Sequence, residues 1–477
     1  MPAKPSFILS LIIGVYLVVG LLYAALTPPW QAPDEPAHYN YVRYVAETWS
    51  LPVLASGCYD EAYLNRLKSE KFPPTLSIEA ICYEHYQPPL YYLLAGPVFA
   101  ATQGSLLALR LFSVILGAAS LFFVYKTGCL FMAQPAVALG TTAFVAFVPM
   151  HLTMLASVNN DSLAELLFIL LIFLLLRWLL QARPSGKPIS VMVGVVLGLI
   201  LVTKVTIYTG LPLVALALFL GDRTGPGLLK NGLRLFLPAL LVALPFYIRN
   251  SLVYGGFDLL GLRRHDAVVV GQLRTADYLA EVGWGAYLNN LGRTTFHSFW
   301  GQFGWLAVPM DSRVYLALTI VQVVVCCGLL LWLWKSPPED ASDRQALWVM
   351  LAVIVLAGGV FIGLNLSFVQ FQGRYLFTAL MPIGLFFTLG LYEALRRRWS
   401  LGVSAVLAGL VVWIGVSSAL GGALDKWGLL IAGLALATAF LRRWLPGEDP
   451  ALFVAAFYSG LAALATTSVW WFIIPNL

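Results

Sequence analysis

The sequence predicts an all-α, polytopic membrane protein with about thirteen transmembrane helices. Three observations carry that expectation. Hydrophobic residues make up 60% of the 477-residue chain and charged residues only 11%, whereas soluble domains are nearer half apolar and a quarter charged. The apolar residues come in continuous runs, not in the alternation of a membrane β-barrel. The basic residues behind the formal charge of +6 are scattered at the ends of those runs, which marks topology and not a nucleic-acid-binding stripe. A soluble enzyme is excluded because no interior of this size holds the apolar surplus. Disorder and a disulfide scaffold fail on the same figures.

A spanning helix needs roughly 20 mostly apolar residues. From the N-terminus, 7–26, 106–125, 133–152 and 162–181 meet this requirement. The run 189–220 is too long for one helix and too short for two, and Thr203-Lys204 interrupts it. Two short helices, 189–203 and 205–220, are expected there. The remaining spans are 235–250, 313–334, 346–365, 375–395, 400–421, 427–441 and 451–474. With the N-terminus in the cytoplasm, Lys4, Lys126, Arg177, Lys230, Arg234, Lys335 and Arg396-Arg397-Arg398 all fall in cytoplasmic positions, as the positive-inside rule requires. Two long segments, 27–105 and 251–312, then lie outside, with smaller outer loops around Asn159-Asn160-Asp161 and from Gln370 to Arg374. The first span is longer than a signal-peptide core and is expected to stay as an anchor. Lys335–Asp343, reading KSPPEDASD, is the best internal linker.

Cys58 and Cys82 share the first outer loop, where oxidation is open to them, and a disulfide between them is expected, two unpaired thiols being the alternative. Cys129, Cys326 and Cys327 lie at or in the membrane, and no cysteine shows a metal spacing.

The first outer loop opens Pro33-Asp34-Glu35-Pro36-Ala37-His38-Tyr39. Asp34 before Glu35 and Pro36 suits a helix N-cap, and the pattern beyond it continues as an amphipathic helix along the membrane surface. A capping acid pair is the simpler reading; the sharper one is a carboxylate at the water–lipid boundary that takes a proton from a hydroxyl. Residues 84–92 read Glu84-His85-Tyr86-Gln87-Pro88-Pro89-Leu90-Tyr91-Tyr92. The two prolines bar a helix through Gln87 and leave His85 and Gln87 at a fixed boundary. His85 there is a proton carrier, a metal ligand or an interfacial polar anchor, the anchor being the default for one histidine with no partner at ligand spacing.

Asn160 or Asp161 would cap the helix that begins at Ser162, on the side that carries Asp34. Lys204, set among Val202, Val205 and Ile207, is costly in a membrane unless a partner or wet cavity receives it, and it reads as an anion-binding cation. Arg374, before Tyr375, either grips a phosphate bidentately or snorkels toward headgroups. The aromatic string Phe299-Trp300-Gly301-Gln302-Phe303-Gly304-Trp305 fits an interfacial belt or a sugar-stacking face. Arg249, Arg263, Arg264 and His265 add cations nearby.

Taken in order, the acidic pair, the downstream QPPLYY and the outer Asn-Asn-Asp resemble the GT-C superfamily of integral membrane glycosyltransferases, among them protein O-mannosyltransferases and the aminoarabinose transferase of lipid A modification. The strings PDEPAH, YQPPLYY, FWGQFGW and QGRYLF resemble more closely a bacterial domain-of-unknown-function family of membrane proteins within that fold. The resemblance covers about residues 7–395.

It implies transfer of a sugar from a polyprenyl-phosphate carrier to a lipid, glycan or protein acceptor outside the cytoplasm, from a multi-pass protein of the plasma (inner) membrane. Asp34 matches the inverting general base, Glu35 the second acid and Asp161 the acid near the fourth span. Lys204 and Arg374 are expected to contact the carrier phosphate, with His38, His85, Gln87, Asn160, Tyr375 and Trp300 as further substrate contacts. Residues 1–395 would be the catalytic module and 396–477 C-terminal helices of unassigned role. No counterpart is expected of the soluble domain of aminoarabinose transferases or of the luminal domain of O-mannosyltransferases, which leaves the acceptor open. No cofactor is required by this reading, although Asp34, Glu35, His38 and Asp161 could hold a divalent ion. A transporter or lipid flippase is the competing class, with a non-catalytic envelope scaffold as a third, and no nucleic-acid partner is expected.

Overall fold

A computed structural model describes residues 4–131, 134–180, 186–221, 225–335 and 340–477. Residues 133 and 181, at the ends of two expected spans, and 336–339 of the expected linker lie outside the described residues. The helices are α1 (Pro5–Leu26), α2 (Glu35–Thr48), α3 (Glu61–Ser69), α4 (Leu90–Ala101), α5 (Leu106–Phe131), α6 (Pro135–Phe147), α7 (Pro149–Leu155) and α8 (Asp161–Leu180). There follow α9 (Gly186–Leu201), α10 (Gly210–Gly221), α11 (Gly225–Tyr254), α12 (Leu262–Val268) and α13 (Thr275–Trp300). The chain closes with α14 (Ser312–Lys335), α15 (Ala341–Ser367), α16 (Leu380–Ala394), α17 (Ser400–Leu420), α18 (Lys426–Leu441) and α19 (Ala451–Ser468).

The protein is an all-α, multi-pass membrane protein. Among the described residues, nine helical segments are long and apolar enough to cross a bilayer: α1, α5, α8, α11, α14, α15, α16 with the preceding turn from Gly373, α17 with its lead from Arg397, and α19 extended to Asn476. That is fewer than the thirteen expected, because several apolar runs fold as short helices. Ile189–Leu201, Val205–Gly221 and Lys426–Leu441 are helical but too short to span alone. The first two are the broken pair anticipated at Thr203-Lys204. The expected span 133–152 is broken as well: α6 and α7 meet at 65°. Pro149 is the cause, since a proline disfavours helical backbone in the residue before it, and Val148 is extended at φ −65°, ψ 118°. Large side chains such as Val18, Ile115, Leu241, Leu330, Val355 and Val412 stay exposed on the outside of the bundle, the lipid-facing band a membrane protein needs.

Both long loops gather at one end of the bundle. The indole of Trp305 donates to the Trp30 carbonyl at 3.0 Å, and Arg264 Nε donates to the Leu54 carbonyl at 2.9 Å. Cys58 and Cys82 form the expected disulfide. It fastens α3 to the 3₁₀ turn Tyr83–Tyr86, and a small apolar cluster under α3 joins Ala37, Leu64, Leu67, Phe72, Ile81 and Tyr83 to Val269. Residues 396–477 divide in their packing. α17 and α18 form a small cluster with Ile320 and Ala394, whereas α19 returns to the main core through Val454, Tyr458, Leu461 and Ala465.

Candidate active site

Asp34 occupies the N-cap position of α2 yet caps nothing. Its backbone is left-handed, φ 67°, and its side chain makes no hydrogen bond to the helix. That conformation costs roughly 1 kcal/mol or more for a residue with a Cβ, and here it turns the carboxylate away from the helix toward two other partners. The Tyr83 hydroxyl donates to Oδ1 at 2.8 Å and Arg374 Nη2 donates to Oδ2 at 2.7 Å. Burial pushes the Asp34 carboxyl up, but the Arg374 guanidinium, helped by His38 and by the bond from Tyr83, outweighs it and holds the group at about 2.

Arg374 reaches this point from the 3₁₀ turn Gly373–Ala379 at the head of α16. Gly373 is needed there because an added Cβ would meet the Thr295 carbonyl and the Phe299 backbone of α13 at under 3 Å. The Gly373 amide donates to the Ser298 hydroxyl at 2.8 Å, which fixes the turn. The Arg374 guanidinium lies 5.5 Å from the Tyr375 ring centre, and the Tyr375 hydroxyl bonds the Gln370 side chain at 3.1 Å.

A second ion pair faces the same space. Lys204 Nζ donates to Asp161 Oδ1 at 2.6 Å from the break between α9 and α10. Asp161 does not cap α8; the Asn159 side chain accepts its amide at 2.9 Å. The His38 ring connects the two pairs, since Lys204, Asp34, Asp161 and Arg374 all act on it electrostatically. Burial, then Lys204, lowers His38 to about 3, so it is neutral at physiological pH. Its Nδ1 shares a 2.8 Å hydrogen bond with the Tyr92 hydroxyl. Tyr92 in turn lies 3.4 Å from Asn160 Nδ2 and stacks on Tyr41 with ring centres 3.5 Å apart. The four charged side chains keep 10–35% of their surface accessible, so they line a half-open cleft and not a dry core. Several buried polar atoms around it have no protein partner among the described residues: Glu84 Oε2, Gln87 Oε1, Asn160 Oδ1 and Arg374 Nε. Buried polar groups are normally paired, so this local concentration marks a place for water or ligand.

Glu35 has a different environment from its neighbour. Its carboxylate is fully buried and saturated: Arg110 binds both oxygens, at 2.7 and 2.6 Å, and the amides of Trp30 and Val158 donate at 3.1 and 3.2 Å. Arg110 also holds the carbonyls of Ala24, Thr27 and Pro28. The pair ties α1, α2, α5 and the loop before α8 together, and the expected chemical role for Glu35 gives way to a positioning one.

A family model described as "Predicted membrane protein (DUF2142)" matches residues 78–383. The chain belongs to this family. Its fold is GT-C-like. The DUF2142 chain is similar to ArnT from Cupriavidus metallidurans bound to undecaprenyl phosphate, with a TM-score of 0.54 at 14% identity over 98% of this chain and 78% of ArnT. The apo state of the same ArnT gives 0.54 and 14% over 96% of this chain and 76% of ArnT. The Archaeoglobus fulgidus oligosaccharyltransferase in its apo form gives 0.49 and 13%, over 96% of this chain and 56% of that one. No curated protein sequence matches.

Not every expected contact joins the cleft of this DUF2142 chain. Trp300 is 1% exposed and packs against Phe144, Phe299 and Phe387; it is a core residue and offers no face to a sugar. His85 sits between Tyr41 and Tyr44, apart from the two ion pairs. Burial lowers it to about 4. Gln87 lies nearer, its amide donating to the Tyr86 hydroxyl at 3.2 Å. Arg249 and Arg264 fasten the carbonyls of Leu51, Pro52 and Leu54.

The donor set for a divalent ion does not fit. Glu35 is consumed by Arg110, Asp34 by Arg374 and Asp161 by Lys204, so each acid already has a cation. The one metal-like grouping among the described residues, Cys58, Cys82 and His85, contains the disulfide. Sequence reading missed Arg110, Tyr83 and Tyr92. Arg110 carried a usable signal: it is the sole charged residue in 106–125, the criterion that singled out Lys204.

Proposed function

We propose that this protein transfers a sugar from a polyprenyl-phosphate-linked donor to a lipid, glycan or protein acceptor, with inversion, at the extracytoplasmic face of the plasma (inner) membrane. The observation that carries the reading is the paired arrangement Asp34–Arg374 and Asp161–Lys204 around a half-open cleft whose polar atoms are partly unmatched. In the proposed complex the donor phosphate takes Arg374 and Lys204, and Asn160 and Gln87 complete its surroundings or those of the sugar. The prenyl chain stays in the bilayer. As the bond from the anomeric carbon to the phosphate oxygen breaks, the leaving phosphate gains charge, and cations already in place stabilise it.

The same event activates the base. Arg374 now holds Asp34 near the bottom of the carboxylate range; sharing that guanidinium with a phosphate relieves the hold and makes Asp34 a better proton acceptor for the acceptor hydroxyl. ArnT, of similar fold, has been seen with undecaprenyl phosphate bound, a lipid of the class proposed here. A transporter is less favoured: the charged groups gather beside the long loops at one end of the bundle, not at mid-depth. No step in the proposed reaction runs through a metal. Residues 1–395 are proposed to form the transfer module.

The full chain in lipid nanodiscs, given undecaprenyl-phosphate-linked sugars and envelope lipids or glycans, should release undecaprenyl phosphate with transfer of the sugar. Asp34→Asn should lower turnover by about 100-fold or more while the protein stays folded. Turnover unchanged in Asp34→Asn would sink the assignment.

A further inference from the structure

The proton taken from the acceptor has to leave Asp34. Both oxygens of that carboxylate are engaged at rest, by Tyr83 and Arg374. Arg374 returns once the product phosphate departs, so Asp34 is a poor place for a proton to stay. Glu84, on the 3₁₀ turn that also carries Tyr83, is built differently. Its Oε2 is buried with no partner among the described residues, and after burial itself the strongest influence on it is the charge of Asp34, followed by that of Lys204.

We propose that Glu84 is the proton acceptor behind Asp34, so that two carboxylates of the cleft pass the acceptor's proton outward. The idea rests on the transfer reading above. In the step, the acceptor oxygen forms a bond to the anomeric carbon and the carbon–oxygen bond to the phosphate breaks. The prenyl phosphate leaves with that electron pair. The hydroxyl proton goes to Asp34, then to the Glu84 carboxylate, then to water.

The groups around Glu84 agree with this direction of flow. Asp34, Lys204 and Arg374 face it, as do the phenols of Tyr83, Tyr86, Tyr92 and Tyr375, each of which feels its charge. His265 and Asp266 of α12 lie behind Tyr86. None of the phenols neutralises a carboxylate. Burial first and Asp34 second push Glu84 up to about 7, while at Asp34 the Arg374 guanidinium outweighs burial and holds the carboxyl low, so the proton is favoured on Glu84. Two carboxyls whose surroundings push them apart in this way are the usual mark of divided acid–base roles. His38, at about 3, does not titrate in the same range.

Below about pH 7 Glu84 already carries a proton and cannot accept another, so turnover of the wild type falls as the pH drops through neutrality. The test compares wild type, Glu84→Gln and Glu84→Asp as full chains in nanodiscs, with undecaprenyl-phosphate-linked sugar as donor. Undecaprenyl phosphate binding serves as the control for folding. Glu84→Gln is expected to lose the neutral limb of the profile and about 10- to 100-fold of turnover, with KM for the donor little changed, and Glu84→Asp to restore the limb. An infrared band of a protonated carboxyl that disappears near neutrality in the wild type should be missing in Glu84→Gln. Transfer by Glu84→Gln with the wild-type pH profile overturns the relay and leaves the transferase reading standing. Absence of transfer by the wild type at every pH overturns both.

Discussion

Asp34 and Glu35 are adjacent acids, and their surroundings give them different work. Glu35 accepts both branches of the Arg110 fork in a site where the side chains are 0% and 3% exposed. Asp34 meets Arg374 through one oxygen, in a cleft that reaches solvent. Bidentate geometry makes the first pair strong, and burial makes its loss expensive, because one partner removed leaves a charge with no solvent to receive it. Arg110→Ala is therefore expected to destabilise the protein by about 3–5 kcal/mol, seen as a lowered thermal midpoint in detergent, whereas Asp34→Asn should barely move that midpoint. Equal midpoints for wild type and Arg110→Ala would contradict the positioning role given to Glu35. At this scale the sequence pointed well to residues that stand out chemically. Lys204 was conspicuous as a cation in an apolar run and Arg374 as one at the outer start of a span, and each meets an acid also singled out. Tyr83 and Tyr92 were not legible, because a tyrosine among many at a membrane boundary reads as an anchor until its hydroxyl is seen on a carboxylate or a histidine.

Elements follow from the sequence where length and apolarity decide, and depart from it where a single residue redirects the chain. The break at Thr203-Lys204 was visible because a cation interrupts an apolar run. The break at Val148-Pro149 was visible only as a proline inside an otherwise continuous run, and many membrane helices carry one without breaking; α11 contains Pro238 and Pro245 and remains a single helix. The bend brings α7 under the site, with His151 bonded to Glu165 at 2.6 Å and Met154 beside Arg374. The turn that carries Tyr83 and Glu84 is held by a covalent tie, since Cys82 is bound to Cys58 across 24 residues. A loop of that size limits the unfolded chain by about 3 kcal/mol. Replacing both cysteines by serine should lower stability by that order and loosen the Tyr83–Asp34 contact, so that hydrogen exchange quickens over residues 81–87. Unaltered exchange there would show that packing alone positions the turn.

Across the whole molecule, the class was readable, while the number of crossings was not. Composition sets the class, because 60% hydrophobic residues need a bilayer. Hydropathy counts apolar runs, however, and cannot tell a full crossing from a shorter apolar helix; α18, which keeps Trp427, Leu430 and Leu434 exposed, and the two halves of 189–220 are of the shorter kind. The aromatic string at 299–305 shows the same ambiguity. Trp300 looked suited to a sugar and lies in the core instead, and Trp305 packs on Phe72 with Lys68 over its ring. What the sequence could not supply is the convergence of α2, the Tyr83–Tyr86 turn, α8, the 204 break and the 374 turn on one cleft. That convergence underlies the proposed function: two cations, each neutralised by an acid, line one cleft where a lipid-borne phosphate is proposed to bind. Binding of undecaprenyl phosphate to the full chain in nanodiscs tests it most directly. Arg374→Ala and Lys204→Ala should each weaken binding by about 10-fold or more, the equivalent of roughly 1.4 kcal/mol, and Asp34→Asn, which frees Arg374, should bind at least as tightly as the wild type. Equal affinity in Arg374→Ala, Lys204→Ala and the wild type would contradict it.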